Sequence, residues 1–501
     1  MMAEKDFKPR IFYGLSLEKM VPEDHLVRVL SKVLNLGFVR DMCGKYYSYT
    51  GKPSVDPVVL FKMMLLGYFY GIDSERKLAE SCSLNLAFRW YLKYDFDEPT
   101  PNHSVLSKAR ARFGKEVFEQ FFQRILDMCV EKGLVSEGKL FVDATLVEAD
   151  AALSSLVPRD NIIRLKEAPS EYVEKFFRDN AVEGGTDDEE DVNKGPGSGT
   201  GKKKGTSSDS MKWSFKNRGK KRTNKECRSS TDPDASYIAR GGRGAFFCYK
   251  CSYAVNEQNR VITAVEVTPG AVADEYMLEE LLDKQPLRVD EVCADSIYGT
   301  IENYRLCAER GLRPSITPRY SKRKKGRVPK EEYKYSPSRD VYICPEGKEL
   351  TKSYYDKRRD RWQYATRTED CRGCPLKSSC CPNRNIMVLA RRVGQEYADW
   401  ANLWLNTPRA KRTIKQRPLF SECAFAEAKT LHGLSRAKYR RLKNVTIQGL
   451  MTAAVQNIKR LISAHNRRER ISTAKSSPEY LKSPLKLLSH LFLTIRLSFS
   501  V

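Results

Sequence analysis

The chain has 501 residues, room for roughly two to four domains and a large core. Its 88 Lys and Arg exceed its 63 Asp and Glu by a formal charge of +25. That excess points to nucleic acid, whose phosphates release counterions when Lys and Arg neutralise them; it argues against a membrane surface, because the cations are spread along the chain rather than set beside an apolar anchor.

The opening residues 1–10 lead into no apolar run of the signal-peptide kind. The apolar run 55–71 is too short to span a bilayer and contains Asp56 and Lys62. A soluble cytoplasmic protein is expected. Apolar spacings of three and four predict helices at 24–36, 56–70, 74–82 and 115–132, with Asp56 and Ser74 as N-caps. Residues 99–114 predict a turn and a short basic helix carrying Lys108, Arg110 and Arg112. This reads as a helix-turn-helix-like element for DNA, with a plain bundle and solvated cations as the alternative.

A period-2 pattern at 139–151 predicts the first strand, with Phe141, Asp143 and Thr145 on one face. Residues 183–225 turn acidic, then Gly-rich, then basic, and predict a flexible insertion. Strand patterns return at 245–270 as a pair joined at 256–259. A helix at 274–284, a strand at 288–299, a helix at 301–310 and a short strand at 313–318 follow. The order β-β-β-α-β-α-β is ribonuclease H-like. The fold expected is α/β, a mixed sheet flanked by helices. An all-α N-terminal domain at 1–135 precedes a core in two parts, 136–320 and 392–470. A cysteine-rich insertion at 321–391 separates the parts, and a tail covers 471–501.

Asp143 lies within the first strand, Asp295 ends a later one, and Glu422 opens a helical pattern. In a ribonuclease H-like fold those two strands are neighbours and the helix packs across them. Three hard carboxylates there suit Mg²⁺ or Mn²⁺, and paired ions can activate a nucleophile and stabilise a leaving oxygen. Competing readings exist. Asp295 could be a turn acid or cap; Glu148 and Asp150 compete with Asp143, and Glu427 with Glu422. Lys429, seven residues after Glu422, shares its helix face. Arg436, Lys438, Arg440, Arg441 and Lys443 then form a basic row suited to holding phosphates. His432 is an alternative general base, and Gly433 reads as a C-cap or turn.

Cys344, Cys371, Cys374 and one of Cys380 or Cys381 have the spacing of a closed structural Zn²⁺ site. Free reduced thiols are the alternative. Cys248 and Cys251 fall in a strand pattern and read as packing residues. Tyr298, Trp362 and Trp404 could stack on bases, though lone aromatics more often belong to a core.

Several pieces recur together in order: SVDPVVLFKMMLLGYFYGIDSERKLAE, FVDATLVEADA, TDPDASY, VTPGAVADEYML, CADSIYGT, and FAEAKTLHGLSRAKYRRL with VQNIKRL. In that order and spacing the chain resembles, over nearly its whole length, a bacterial insertion-sequence transposase of the DDE type. The subgroup is the one with an InsH-like helical N-terminal domain and a cysteine-bearing insertion before the catalytic glutamate. The resemblance implies a triad of Asp143, Asp295 and Glu422, and an E-x6-K signature from Glu422 to Lys429. It also implies Mg²⁺ or Mn²⁺, binding to terminal inverted repeats and target DNA, and transfer of 3′-hydroxyl strands by a homodimer in the bacterial nucleoid. One departure stands out. The Tyr and Arg usually ahead of that glutamate are out of register, and Arg417 sits one residue too far upstream. A catalytically inactive DNA-binding remnant and a ribonuclease H-like nuclease without strand transfer are the rival functions.

Overall fold

The computed structural model describes residues 16–48, 50, 54–158, 224, 226–240, 244–319 and 327–476. The insertion expected at 183–225, apart from Asn224, and the tail beyond 476 lie outside the described residues.

After a single turn at Leu17–Met20 come helices α1 (Leu26–Val33), α2 (Phe38–Cys43), α3 (Pro57–Phe69), α4 (Glu75–Leu84), α5 (Leu86–Leu92) and α6 (Ser104–Glu131). Asp56 starts α3 by accepting the Val58 amide at 2.9 Å, with Pro57 preset for the first helical position. Ser74 caps α4 by accepting the Lys77 amide at 3.4 Å. Apart from Lys62, whose Nζ donates to the Tyr91 carbonyl, α3 is apolar all round, as a buried helix should be; its Phe61 packs among Phe113, Phe118 and Phe121. Gly114, at φ +69°, breaks α6 into a basic first stretch and an apolar second one, close to the boundary expected from the sequence.

The strands and helices that follow are β1 (Gly138–Glu148), β2 (Leu156–Pro158), β3 (Cys227–Ser229), β4 (Ser236–Arg240), β5 (Gly244–Asn256), β6 (Ile262–Pro269), α7 (Met277–Asp283), β7 (Val289–Ala294), α8 (Ile301–Glu309) and β8 (Arg313–Ile316). Next come β9 (Lys334–Ser336), β10 (Val341–Ile343), β11 (Glu349–Asp356), β12 (Arg361–Ala365), β13 (Val388–Arg392), α9 (Gln395–Leu405) and α10 (Pro408–Arg417). A π-turn at Pro418–Glu422 leads into α11 (Cys423–Leu431), and α12 (Leu442–Ser476) is the last element described.

By compactness the chain divides into two units. The first comprises Met1–Ser136, Ala144–Val272 and Glu422–Val501. Its strands run β4-β5-β1, with β6 on β5, and the β4–β5 and β5–β6 pairs are antiparallel. α12 packs on α6 and β6. The buried Asn457 side chain brackets Ile262 of β6, accepting its N–H and donating to its carbonyl at 2.8 Å each. That satisfies both backbone groups away from water.

The second unit comprises Glu137–Asp143 and Ala273–Ser421. Here β1-β7-β8 run parallel, with α9 and α10 packed on them. β1 therefore contributes to both units. The mixed sheet flanked by helices and the helical N-terminal region match the expected ribonuclease H-like class. Between β8 and α9 lies a second, antiparallel sheet, β13-β12-β11-β10-β9, around Tyr333, Tyr342, Leu350, Tyr364 and Leu389. The sequence reading assigned no strands there. Among the described residues no helix is long and apolar enough to cross a membrane.

Candidate active site

β1 and β7 pair in parallel with Phe141 opposite Cys293. Continued two residues past this last pair, the register would bring Asp143, midway along β1, beside Asp295, the first residue after β7. Opposed residues of parallel strands face one side of the sheet, with the strands about 4.8 Å apart. Asp295 thus stands just past a strand end, the usual place for ligands in open α/β sheets. Leu140, Phe141 and Val142 form a buried run beneath Asp143. That floor is dry: burial pushes the Cys293 thiol up to about 12. Asp295 opens a short turn, and its Oδ1 accepts the Ile297 amide at 2.9 Å. The cap expected as an alternative is therefore real, but it uses one of two carboxylate oxygens.

Asp143 Oδ2 accepts from Arg417 Nη1 at 3.0 Å. Arg417 ends α10, and the π-turn Pro418–Glu422 follows it directly. Pro418 has no N–H, and its ring crowds the carbonyl four residues back, so an α-helix does not run through it undisturbed. A π-turn closes i to i+5 where an α-turn closes i to i+4, so it absorbs one residue. In the sequence this turn lies between Arg417 and Glu422, which are five residues apart. The Phe420 ring stacks on Phe141 of β1 at 4.2 Å, fastening the turn to the strand. α10 contains no Tyr to complete the signature.

Glu422 is exposed at the head of α11. Its rival, Glu427, is committed elsewhere. Lys459 Nζ lies 2.5 Å and Arg460 Nη2 2.7 Å from its carboxylate, with His432 Nε2 at 3.8 Å. Burial alone would raise the Glu427 carboxyl, but His432 and the two cations outweigh it and hold it well below the usual carboxylate range. His432 is itself buried, with Nδ1 2.9 Å from the Tyr68 carbonyl. Sealed in this way, it is poorly placed for the general-base role considered from the sequence. Lys429 is half-buried on α11, and its charge is felt at the buried Cys251 thiol, which burial nonetheless raises to about 12.

The remaining acids near β1 serve a loop. Glu148 exchanges backbone hydrogen bonds with Ser435 and Ala437 at 3.0 and 2.7 Å. The Asp150 carboxylate lies 3.1 Å from Arg440 Nε and 3.7 Å from Arg436 Nη2.

Two residues expected to face DNA are internal instead. Arg110 is buried, ion-paired with Glu75, and lies 4.0 Å over the Tyr439 ring. Lys438 reaches Asp73 at 2.8 Å and sits 4.4 Å over the Tyr68 ring. Neither points at solvent, because α4 and the α3–α4 connection supply acids that no local pattern announces. Arg441, at φ +77°, also plays an inward part. Its amide donates to Asp232 Oδ1 and the Leu442 amide to Asp234 Oδ2, each at 3.0 Å. The segment TDPDASY thus caps α12, whose first amides have no partner within the helix. Tyr249 donates its hydroxyl to Asp232 at 2.7 Å; burial, opposed by these bonds, raises the Asp232 carboxyl to about 6. Lys108, Arg112, Arg436 and Arg440 remain exposed. Tyr298 is buried, Trp362 packs beside the insertion core, and Trp404 donates to Ser315.

The cysteines of the insertion share one small cavity of about 20 Å³, lined by Cys344, Cys371, Cys374, Cys380 and Cys381. Gly347 and Gly373 turn the chain at φ +74° and +80°, as tight knuckles require. The Lys348 amide donates to Cys344 Sγ at 3.3 Å, and the Tyr333 hydroxyl to Cys380 Sγ at 3.1 Å. Burial, followed by Cys374, Cys344 and Cys371, pushes the Cys380 thiol up against the pull of Tyr333. Burial first, and then Cys371, pushes the Cys381 thiol up. In donor type and backbone shape the set Cys344, Cys371, Cys374 and Cys380 fits zinc. Among the described residues, however, no three His, Cys, Asp or Glu side chains are drawn up at metal-holding geometry, here or at the carboxylates.

Sequence reasoning passed over Arg417 because its register was wrong; Pro418 inside a helical run was the available signal for a bulge. Nothing local pointed to the partners of Asp73, Asp232 and Asp234, which lie some two hundred to more than three hundred and fifty residues along the chain, nor to the pairing of Glu75 with Arg110 on another helix.

Two family models match the chain. A transposase domain, DUF772, matches residues 15–112, and a transposase DDE domain matches residues 343–462. The second stretch contains Glu422, Lys429 and the cysteine cluster. No curated protein matches the sequence. Among solved structures, a cryo-EM piggyBac transposase synaptic complex with hairpin DNA is similar at 11% identity, covering 88% of this chain and 73% of that one, with a TM-score of 0.33. A likeness that loose places no residues.

Proposed function

We propose, from the premise that the chain belongs to the DDE-type transposases, that it cuts DNA at the ends of an insertion sequence and joins the freed 3′-hydroxyls to target DNA. The observation that supports this reading is the parallel register of β1 and β7, with Phe141 opposite Cys293, which if continued two residues would bring Asp143 beside Asp295. Asp143, Asp295 and Glu422 would together hold Mg²⁺ or Mn²⁺; their hard oxygen donors suit both. Divalent ions held there would activate water or a 3′-hydroxyl and stabilise the leaving oxygen of an in-line displacement. Arg417 would orient the Asp143 carboxylate through its contact with Oδ2, and Lys429 would meet a phosphate oxygen. Lys108 and Arg112 on α6, with Arg436 and Arg440, would grip backbone phosphates and position DNA without reading sequence. The N-terminal helices would recognise the terminal inverted repeats, and a homodimer would pair two ends.

The test is cleavage of a duplex carrying the element's terminal repeat, with Mg²⁺. Wild type should cut the end and yield joined products. Asp143→Asn, Asp295→Asn and Glu422→Gln should bind the duplex and leave it intact. A wild type that binds yet never cuts would mean an inactive remnant, and cutting without joined ends a plain nuclease.

The insertion is read as a zinc-stapled module. Purified wild-type protein should carry zinc and lose it on Cys371→Ser or Cys374→Ser; a wild type free of zinc by elemental analysis sinks this part alone.

A further inference from the structure

The helix that delivers Arg417 has a second face. α10 buries Ala410 and Thr413 against β7 and β8. Arg417 continues that inner line four residues after Thr413. The outer face carries Lys411, Arg412 and Lys415, all exposed, and the helix contains no acid. Arg409 is used inside the unit, with Nε 3.2 Å from the buried Glu291 and its guanidinium beside the Trp404 ring. Lys411, Arg412 and Lys415 enter no ion pair among the described residues.

This arrangement does not serve the helix itself. Like charges one turn apart repel and destabilise a helix. The helix dipole favours cations only in the last turn, which accounts for Lys415 but not for Lys411 or Arg412. Lys411 and Lys415 stand one turn apart, about 6 Å along the axis, with Arg412 beside them. The row leads along the helix toward Arg417, which touches Asp143.

We infer that the outer face of α10 is a docking surface for DNA backbone phosphates flanking the Asp143–Asp295 pair. The inference rests on the transposase reading above and adds a contact surface to it. The occupant is duplex DNA because the row is purely cationic, has no apolar or aromatic residue among its three members, and runs toward carboxylates suited to phosphodiester chemistry. Each cation would neutralise one phosphate and release its counterion.

The test uses the full chain and a fluorescent mixed-sequence duplex, without divalent metal, in a KCl series read by anisotropy. For Lys411→Gln/Arg412→Gln/Lys415→Gln, the slope of log affinity against log salt should become shallower by about 2.7, at about 0.9 per lost contact. Arg412→Gln alone should lose about 0.9. A control, Lys284→Gln/Arg288→Gln/Arg305→Gln, removes three other exposed cations that lie outside the N-terminal helices and should keep the wild-type slope. Wild-type slopes in both α10 variants overturn the inference, as does an equal loss in the control, which would make net charge the cause. A wild type that binds no duplex overturns the transposase reading and this surface with it. Thermal melting of each variant confirms that the fold is retained.

Discussion

Two stretches of this chain read alike as sequence: α10, with five cations in ten residues, and the segment from Arg436 to Lys443, with five in eight. Folded, they differ. In the later stretch Lys438 is taken by Asp73, Arg441 lies 3.8 Å from Asp234, and Arg436 and Arg440 share Asp150. In α10 only Arg409 and Arg417 have acidic partners in described contacts, and both lie on or beside its inner face. The difference shows that a run of cations does not reveal which of them face a ligand. Acids brought in from distant segments decide that. A basic row can be a brace inside the protein, and another of comparable density a surface.

The sharpest way to break this contrast is at Arg110, where the N-terminal helices meet the later stretch. Its guanidinium is buried between Glu75 and the Tyr439 ring. Removing one partner of a buried pair leaves an uncompensated charge, a loss of about 3 kcal/mol. Arg110→Ala should therefore lower the thermal midpoint markedly while the salt dependence of DNA binding stays at the wild-type slope. A stable variant with a shallower slope would return Arg110 to the DNA face and undo the distinction between brace and surface.

What the sequence made legible follows local physics. Apolar spacing and the caps at Asp56 and Ser74 located the early helices, because those signals sit within a few residues of each other. Strand alternation located β1, β5 and β6, while the edge strand β4 was not foreseen. Asp143 and Asp295 could be singled out because each ends or interrupts an otherwise apolar strand. The insertion sheet escaped notice: its strands are short, and its core leans on the aromatic Tyr333, Tyr342 and Tyr364 more than on an aliphatic run. The role of Arg417 escaped because a π-turn changes helical register without changing composition. The inward turn of Arg110 and Lys438 was illegible for a third reason, since their partners come from other elements of the fold.

The smallest effect tests the milder half of the contrast, at Asp150. Its carboxylate and the cations around it are about half exposed, at 45% for Asp150, 51% for Arg440 and 65% for Arg436. Water and salt screen such pairs, which contribute roughly 0–1 kcal/mol. Asp150→Asn should accordingly leave the melting temperature almost unchanged. It should also remove a carboxylate that competes with phosphates for Arg436 and Arg440. If those two arginines grip DNA, duplex binding at low salt should tighten about twofold to fivefold, the equivalent of about 0.5–1 kcal/mol. The gain should fade at high salt, because screening weakens the competing acid first. Unchanged binding would place Arg436 and Arg440 with Lys438, as parts of the brace, and leave α10 as the basic segment that meets DNA near the carboxylates.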